Sequence, residues 1–287
     1  MCLRFDVTVD PVLVPPERVQ PRVVRGKEPG VLLKHAQKWL DSFKLQKDKK
    51  VMVFGTDMDG RSRLICRFVR PQCPPAHIDP ADSFAIEAAA RYVAMIPFLT
   101  DKDMFPTLND LWCSDQEFLN IQCGDWEEHA ILLCNYFNYI DRYRREHVSV
   151  YAETHIQSYC VLCDTLPEGE VWMVMRRDMS SGHCEFWQAV GGDCYFVPRR
   201  EPARWRCCPS RHRGSAAEEA PPRATPLIPI QRVHLAFNSE NVWANLQGAG
   251  TRAAPAGVLR LGLDLQNPRH WRPLFAKGRQ DLVRLSR

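Results

Sequence analysis

Apolar residues recur at helical spacing most densely in residues 124–137, GDWEEHAILLCNYF, where Ala130, Leu133, Cys134 and Phe137 follow one another at intervals of three and four. That face is predicted to be core, and Ile131 and Leu132 widen the stripe. Asp125 stands where a side-chain oxygen can accept from the first unpaired backbone N–H groups, and Glu127 and Glu128 set negative charge against the positive end of the helix dipole. A helix starting near Trp126 and lying at the centre of the fold is expected.

Upstream, LRFDVTVDPVLVP alternates Leu3, Phe5, Val7 and Val9 against Arg4, Asp6, Thr8 and Asp10, the period of a half-buried strand, and breaks at Pro11. Residues 15–30 carry Pro15, Pro16, Pro21 and Pro29 among arginines and read as a linker. Residues 31–46 are predicted helical, with Val31, Leu32, His35, Trp39, Leu40 and Phe43 on one face, and KDKK ends the element. VMVFGTDMDGRSRLICRFV (51–69) has two apolar runs joined around Asp59-Gly60, a hairpin signal. SFAIEAAARYVAMI (83–96) predicts a helix burying Phe84, Ile86, Ala90, Val93 and Ile96 and closed by Pro97, and a short helix is expected at 114–121.

Beyond Phe137, NYIDRYRREHVSVYAETHIQS (138–158) is rich in charge and is predicted to be an exposed insertion. SYCVLCDTL, VWMVMRR (171–177), EFWQAV (185–190), CYFV (194–197) and IQRVHLAF (230–237) read as strands, and NSENVWANL as a capped turn or short helix led by Asn238 or Ser239. Residues 199–226, rich in Arg, Pro, Ala and Ser, hold too few large apolar residues to order themselves, so a disordered basic insertion is expected. Strands and helices mixed without βαβ regularity, with a long helix against an antiparallel sheet, predict an α+β fold.

Composition narrows the chemistry. At 287 residues and 45% hydrophobic, the chain can bury the core of one large domain or two small ones. The absence of a run of about 18 apolar residues argues against a membrane span, and the opening MCLRFDVTVD lacks the layout of a signal peptide, so a cytosolic setting is expected. The 12 cysteines are scattered and then read as reduced, mostly buried thiols. A net charge of +4 is too slight to indicate nucleic acid, and none is expected. Asp57 and Asp59 lack the further oxygen ligands of a calcium loop and are assigned to turn chemistry. Cys160 and Cys163 have zinc-knuckle spacing, but the second pair would have to come from Cys184, Cys194, the adjacent Cys207 and Cys208, or His155 and His183. Adjacent cysteines chelate one ion poorly, so neither metal nor cofactor is expected.

Gly124 and Ala130 also fit the frame of transglutaminase-like, papain-related folds, in which a glycine precedes the nucleophilic cysteine by two residues and an alanine follows it by four. Trp126 holds the cysteine position, and an indole is no nucleophile. The same stretch, together with FDVTVDPVLVP, ARYVAMIPFLTD, DLWCSDQEFL, LPEGEVWMV, NSENVWANLQ and PRHWRPLF in the same order, resembles the C-terminal region of the coiled-coil and C2 domain-containing protein 2 family, types 2A and 2B.

The resemblance implies a C2-domain remnant strand and linker over 1–30, a fragment of a longer protein, and a degenerate transglutaminase-like domain over 31–287. It places the histidine base within Val171–Met173, where Trp172 stands, and the orienting acid or amide near Gln188. The function implied is a non-catalytic scaffold of the ciliary transition zone or basal body, in the cytoplasm and cytoskeleton. Its partners would be other transition-zone proteins in a membrane-proximal or tubulin-associated position. The competing reading is a residual or altered cysteine hydrolase or transglutaminase that uses Cys123, near the helix start, or another thiol; His183, the histidine in the strand turn, is not a positioned base for it.

Overall fold

The computed structural model describes residues 27–46, 49–104, 110–197, 229–248 and 262–286. The strand read at residues 3–10, most of the 15–30 linker and the 199–226 insertion lie outside the described residues. No helix among the described residues is long and apolar enough to cross a membrane.

The chain folds as α+β around one helix and one sheet. Seven strands run β6-β5-β4-β3-β7-β8-β9, each antiparallel to its neighbour. They are β3 Ile156–Thr165, β4 Gly169–Asp178, β5 Cys184–Gln188, β6 Asp193–Val197, β7 Ile230–Phe237, β8 Val242–Asn245 and β9 Trp271–Pro273. Helix α5, Trp126–His147, lies across β3 and β4. Around it stand α1 (Gly30–Asp41), α2 (Ala85–Ala94), α3 (Asp101–Met104), α4 (Asp115–Ile121) and α6 (Arg279–Leu285), with the β1–β2 hairpin (Phe54–Thr56, Ser62–Leu64) to one side.

The start of α5 follows the sequence reading. Asp125 caps it, accepting from the Glu127 N–H, while the Asp125 N–H donates to Glu128 Oε2 at 3.1 Å. Ala130 through Phe137 are buried without interruption. Its end corrects that reading: residues 138–147 continue the helix, and Ile140, Asp141 and Arg144 are buried. Each charge there has a partner. Arg176 of β4 donates to Asp141 at 2.6 and 3.0 Å and to Glu185 at 2.9 Å, and Arg144 donates to the Pro80 carbonyl at 3.0 Å. Paired charges are tolerated inside a fold where lone ones are not.

Two further expectations are corrected. Val31 is largely exposed because α1 turns Leu32, Ala36 and Trp39 inward, and Phe84 precedes α2 as its N-cap with its ring in solvent. The hairpin forms as read: Asp57 Oδ1 accepts from the Asp59 and Arg61 N–H groups, and Gly60 takes φ +72°. NSENVWANL is a turn, in which Asn238 Oδ1 accepts from Glu240 and Asn241, leading into β8 rather than into a helix.

The sheet is buried on both faces. Cys160, Leu162, Trp172 and Val174 face the helices, while Tyr159, Val161, Cys163, Val171 and Met173 face a second core containing Trp243 and Trp271. Strand alternation sends neighbouring side chains to opposite cores.

Candidate functional site at the start of the central helix

The chain passes a crowded point just before α5. A Cβ on Gly124 would lie 2.7 Å from the Phe118 ring, so only glycine fits there without displacement. The link after α2 runs alongside: the Leu99 N–H donates to the Gly124 carbonyl at 2.8 Å and the Gly124 N–H to the Pro97 carbonyl at 3.3 Å. This pairing lays Phe98 over the first residue of the helix, with its ring 5.1 Å from the half-buried ring of Trp126. Trp126 also packs against both apolar cores. His129, one turn on, is fully buried, and its two ring nitrogens lie 2.6 Å from the Asp125 carbonyl and 3.0 Å from the Ile96 carbonyl. It is held as a bridge between α2 and α5 and has no nitrogen free to act as a base.

Carboxylates gather around the same point from three stretches of chain. Oxygens of Asp101, Asp125 and Glu127 all lie within 4.8 Å of one another. Asp101 accepts from the Leu111 N–H, Asp110 from the Trp112 indole at 3.1 Å, and Glu128 from the Cys113 N–H at 3.0 Å. Burial, reinforced by neighbouring Asp125 and Asp110, pushes the Asp101 carboxyl up to about 6. Burial and then like charge also raise Asp110, Glu127 and Glu128 above the ordinary carboxylate range. An activated thiol needs a nearby cation. Here burial first and Glu128 next push the neighbouring Cys113 thiol up instead.

Trp172 lies toward the same end of α5. Cys160, whose sulfur is 3.6 Å from the Ala130 carbonyl, pairs with Val174, and Trp172 is two residues nearer the Trp126 end of β4. Its ring meets those of Trp112 and Phe237 edge-on at 5.5 Å, a wholly apolar setting. Gln188 is not brought to this point. The preceding Trp187 packs on Phe137, about 16 Å along the helix axis from Trp126, and the Gln188 carbonyl closes a turn by accepting from Gly192.

A match to the family described as the CEP76 peptidase-like domain spans residues 110–274, more than half of the chain and the whole of α5 and its sheet. The chain belongs to the CEP76 peptidase-like domain family. It is also 23% identical over 228 residues to Protein CC2D2B of Homo sapiens, across 77% of this chain and 12% of that protein. The resemblance to the coiled-coil and C2 domain-containing protein 2 family therefore extends over most of the chain, which spans about an eighth of the length of the curated relative it matches.

Within this peptidase-like domain no cysteine sulfur among the described residues has an imidazole as its hydrogen-bond partner. Cys123 is half-buried, with Met104 Sδ at 3.5 Å and the Ile121 carbonyl at 3.9 Å. His183 is exposed on the β4–β5 turn next to Asp178, beyond the level at which Arg176 meets Asp141 near the far end of α5. Cys160 and Cys163 face opposite cores, so their sulfurs do not converge on one ion.

The sequence reading missed one histidine with a carboxylate partner. His234 of β7 is buried, its Nε2 is 2.8 Å from Asp164 Oδ2, and Lys50 Nζ donates to Asp164 Oδ1 at 2.9 Å. A histidine in an alternating strand carries no sign of this, because strand register, here shifted at Leu162/Cys163, decides the pairing. The other nitrogen of His234 is buried without a hydrogen-bond partner, so this pair activates no thiol.

Proposed function

We propose that the chain is a non-catalytic scaffold, a degenerate transglutaminase-like, papain-related domain that serves cilium assembly at the transition zone or basal body. The observation that carries the reading is the ring of Trp126 at the first residue of α5, packed at a tilt against Phe98 where a transglutaminase-like fold presents its nucleophile. The apolar framework is kept, Trp172 stands in a ring cluster at the base position, and Gln188 follows Trp187, which packs at the middle of the helix, about 16 Å from Trp126. Residues 31–287 form the domain in this reading, with residues 1–30 as the strand and linker of a preceding C2 region. The ciliary placement rests on the likeness to CC2D2B and its family.

The test pairs chemistry with location. Purified protein is expected to release no ammonia from glutamine peptides, and the tagged protein to concentrate at the basal body or transition zone. Turnover abolished by Cys123→Ser would overturn the non-catalytic reading, and a diffuse cytosolic signal would overturn the placement.

A further inference from the structure

The shelf over the start of α5 presents apolar side chains to solvent. Met95 is 67% exposed, and Phe98 and Leu99 are each 38% exposed on the link that follows α2. The backbone beneath them is fixed by the hydrogen bonds to Gly124, so the shelf is preformed. Its rim is acidic: Asp110 is exposed and Asp125 and Glu127 are half-buried, with Asp101 and Glu128 beneath them. Among the described residues no Lys or Arg forms an ion pair with any of these five carboxylates; the cation nearest in sequence, the exposed Lys102 of α3, pairs with none of them.

We propose that this shelf docks a basic amphipathic segment of a partner protein, with an apolar side chain against Phe98, Leu99 and Trp126 and Lys or Arg side chains reaching Asp110, Asp125 and Glu127. The inference rests on the non-catalytic reading of the helix start and names the kind of partner. Charge complementarity decides the occupant. Crowded, partly desolvated carboxylates lacking a cation gain from one that is delivered, and they repel an acidic segment. An apolar anchor packed beside a ring, bordered by charge-assisted hydrogen bonds, is the arrangement found at the centre of affine interfaces.

Fluorescence anisotropy of the full chain with a labelled synthetic Leu/Lys helix, and with its twin carrying Glu in place of Lys, tests the proposal. The Lys helix is expected to bind and the Glu twin not to. Asp110→Asn with Glu127→Gln is expected to weaken binding about tenfold or more, and Phe98→Ser by a similar factor. Leu45→Ser, an exposed apolar residue after α1, is expected to change nothing. The proposal is overturned by absence of binding, by equal binding of the twins, or by full affinity in the Asp110→Asn, Glu127→Gln protein. It also falls if the wild-type carboxylates take up Ca2+ or Mg2+ and no peptide. Because Asn and Gln remove crowded charge without removing volume, a fold defect does not mask the outcome, and circular dichroism of each variant confirms it. Ammonia release by the wild-type protein, measured separately, tests the non-catalytic reading, so the two fail independently.

Discussion

Asp141, about four turns along α5, and Arg176 of β4 are joined by two hydrogen bonds, Nη2 to Oδ1 at 2.6 Å and Nε to Oδ2 at 3.0 Å, with both side chains about nine-tenths buried. Glu185 holds the third side of the guanidinium at 2.9 Å. The arrangement pins the last turns of the central helix to the sheet. It keeps Arg176 fully charged, since the nearby carboxylates more than offset the cost of burial.

Asp141→Ala is therefore expected to destabilise the chain by about 3 kcal/mol, because it leaves a buried guanidinium with one carboxylate. Urea unfolding measures this. Replacing Asp141 by Leu and Arg176 by Met together should cost far less than Asp141→Ala alone, and equal costs would show the pair to be solvated.

Acidity at the start of α5 has the opposite sign. The Asp101 carboxyl, pushed by burial from 3.8 to about 6, binds its proton more tightly folded than unfolded. The stability linked to that proton is fully present below about pH 3.8 and is lost as pH rises through about 6. Asp101→Asn keeps an acceptor for the Leu111 N–H and removes the charge. It should stabilise the chain by about 2 kcal/mol at neutral pH and by little at about pH 4. Thermal melts at the two pH values decide the matter, and a gain that is the same at both would refute the linkage.

Trp126 fills its position only partly, since its ring is half-buried beside Phe98. Trp126→Ala is expected to cost about 2 kcal/mol, less than for a fully buried indole. A double-mutant cycle with Phe98→Ala should recover about 1 kcal/mol of coupling. Trp126→Cys should be destabilised and remain without hydrolytic activity, because each ring nitrogen of His129 is occupied by a backbone carbonyl beside it and His234 faces Asp164.

Thiol labelling of the native protein should report the same inertness. Among the described cysteines, exposed Cys73 and half-buried Cys123 are expected to react before the buried Cys66, Cys160 and Cys163, which wait for unfolding. Mass-spectrometric mapping of an iodoacetamide time course reads this order. Rapid stoichiometric labelling of Cys123 that depends on a histidine would contradict it.

Local pattern determined the elements. The spacing of Ala130, Leu133, Cys134 and Phe137, the capping oxygen of Asp125, the Asp59-Gly60 turn, the apolar runs in 158–177 and the strand pattern of 230–237 each depend on residues within a few positions of one another. Helix start, hairpin and strands were therefore legible without the fold, and the framework around Gly124, Trp126 and Ala130 with them. What the tertiary structure alone decided is where charge is compensated. The run 138–147 is polar by composition and reads as surface, yet Asp141 within it is buried because Arg176 stands 35 positions away in sequence and within hydrogen-bond reach in space. Asp101, Asp110 and Asp125 come from separate stretches, and their crowding exists only once the α2–α3 link is laid against Gly124. His234 meets Asp164 through the register of two strands, and Gln188 is carried away from Trp126 by about three turns of α5. Apolar burial follows periodicity, a property of neighbouring residues, whereas the state of a charged group follows its partners and its solvent, which only the assembled fold supplies.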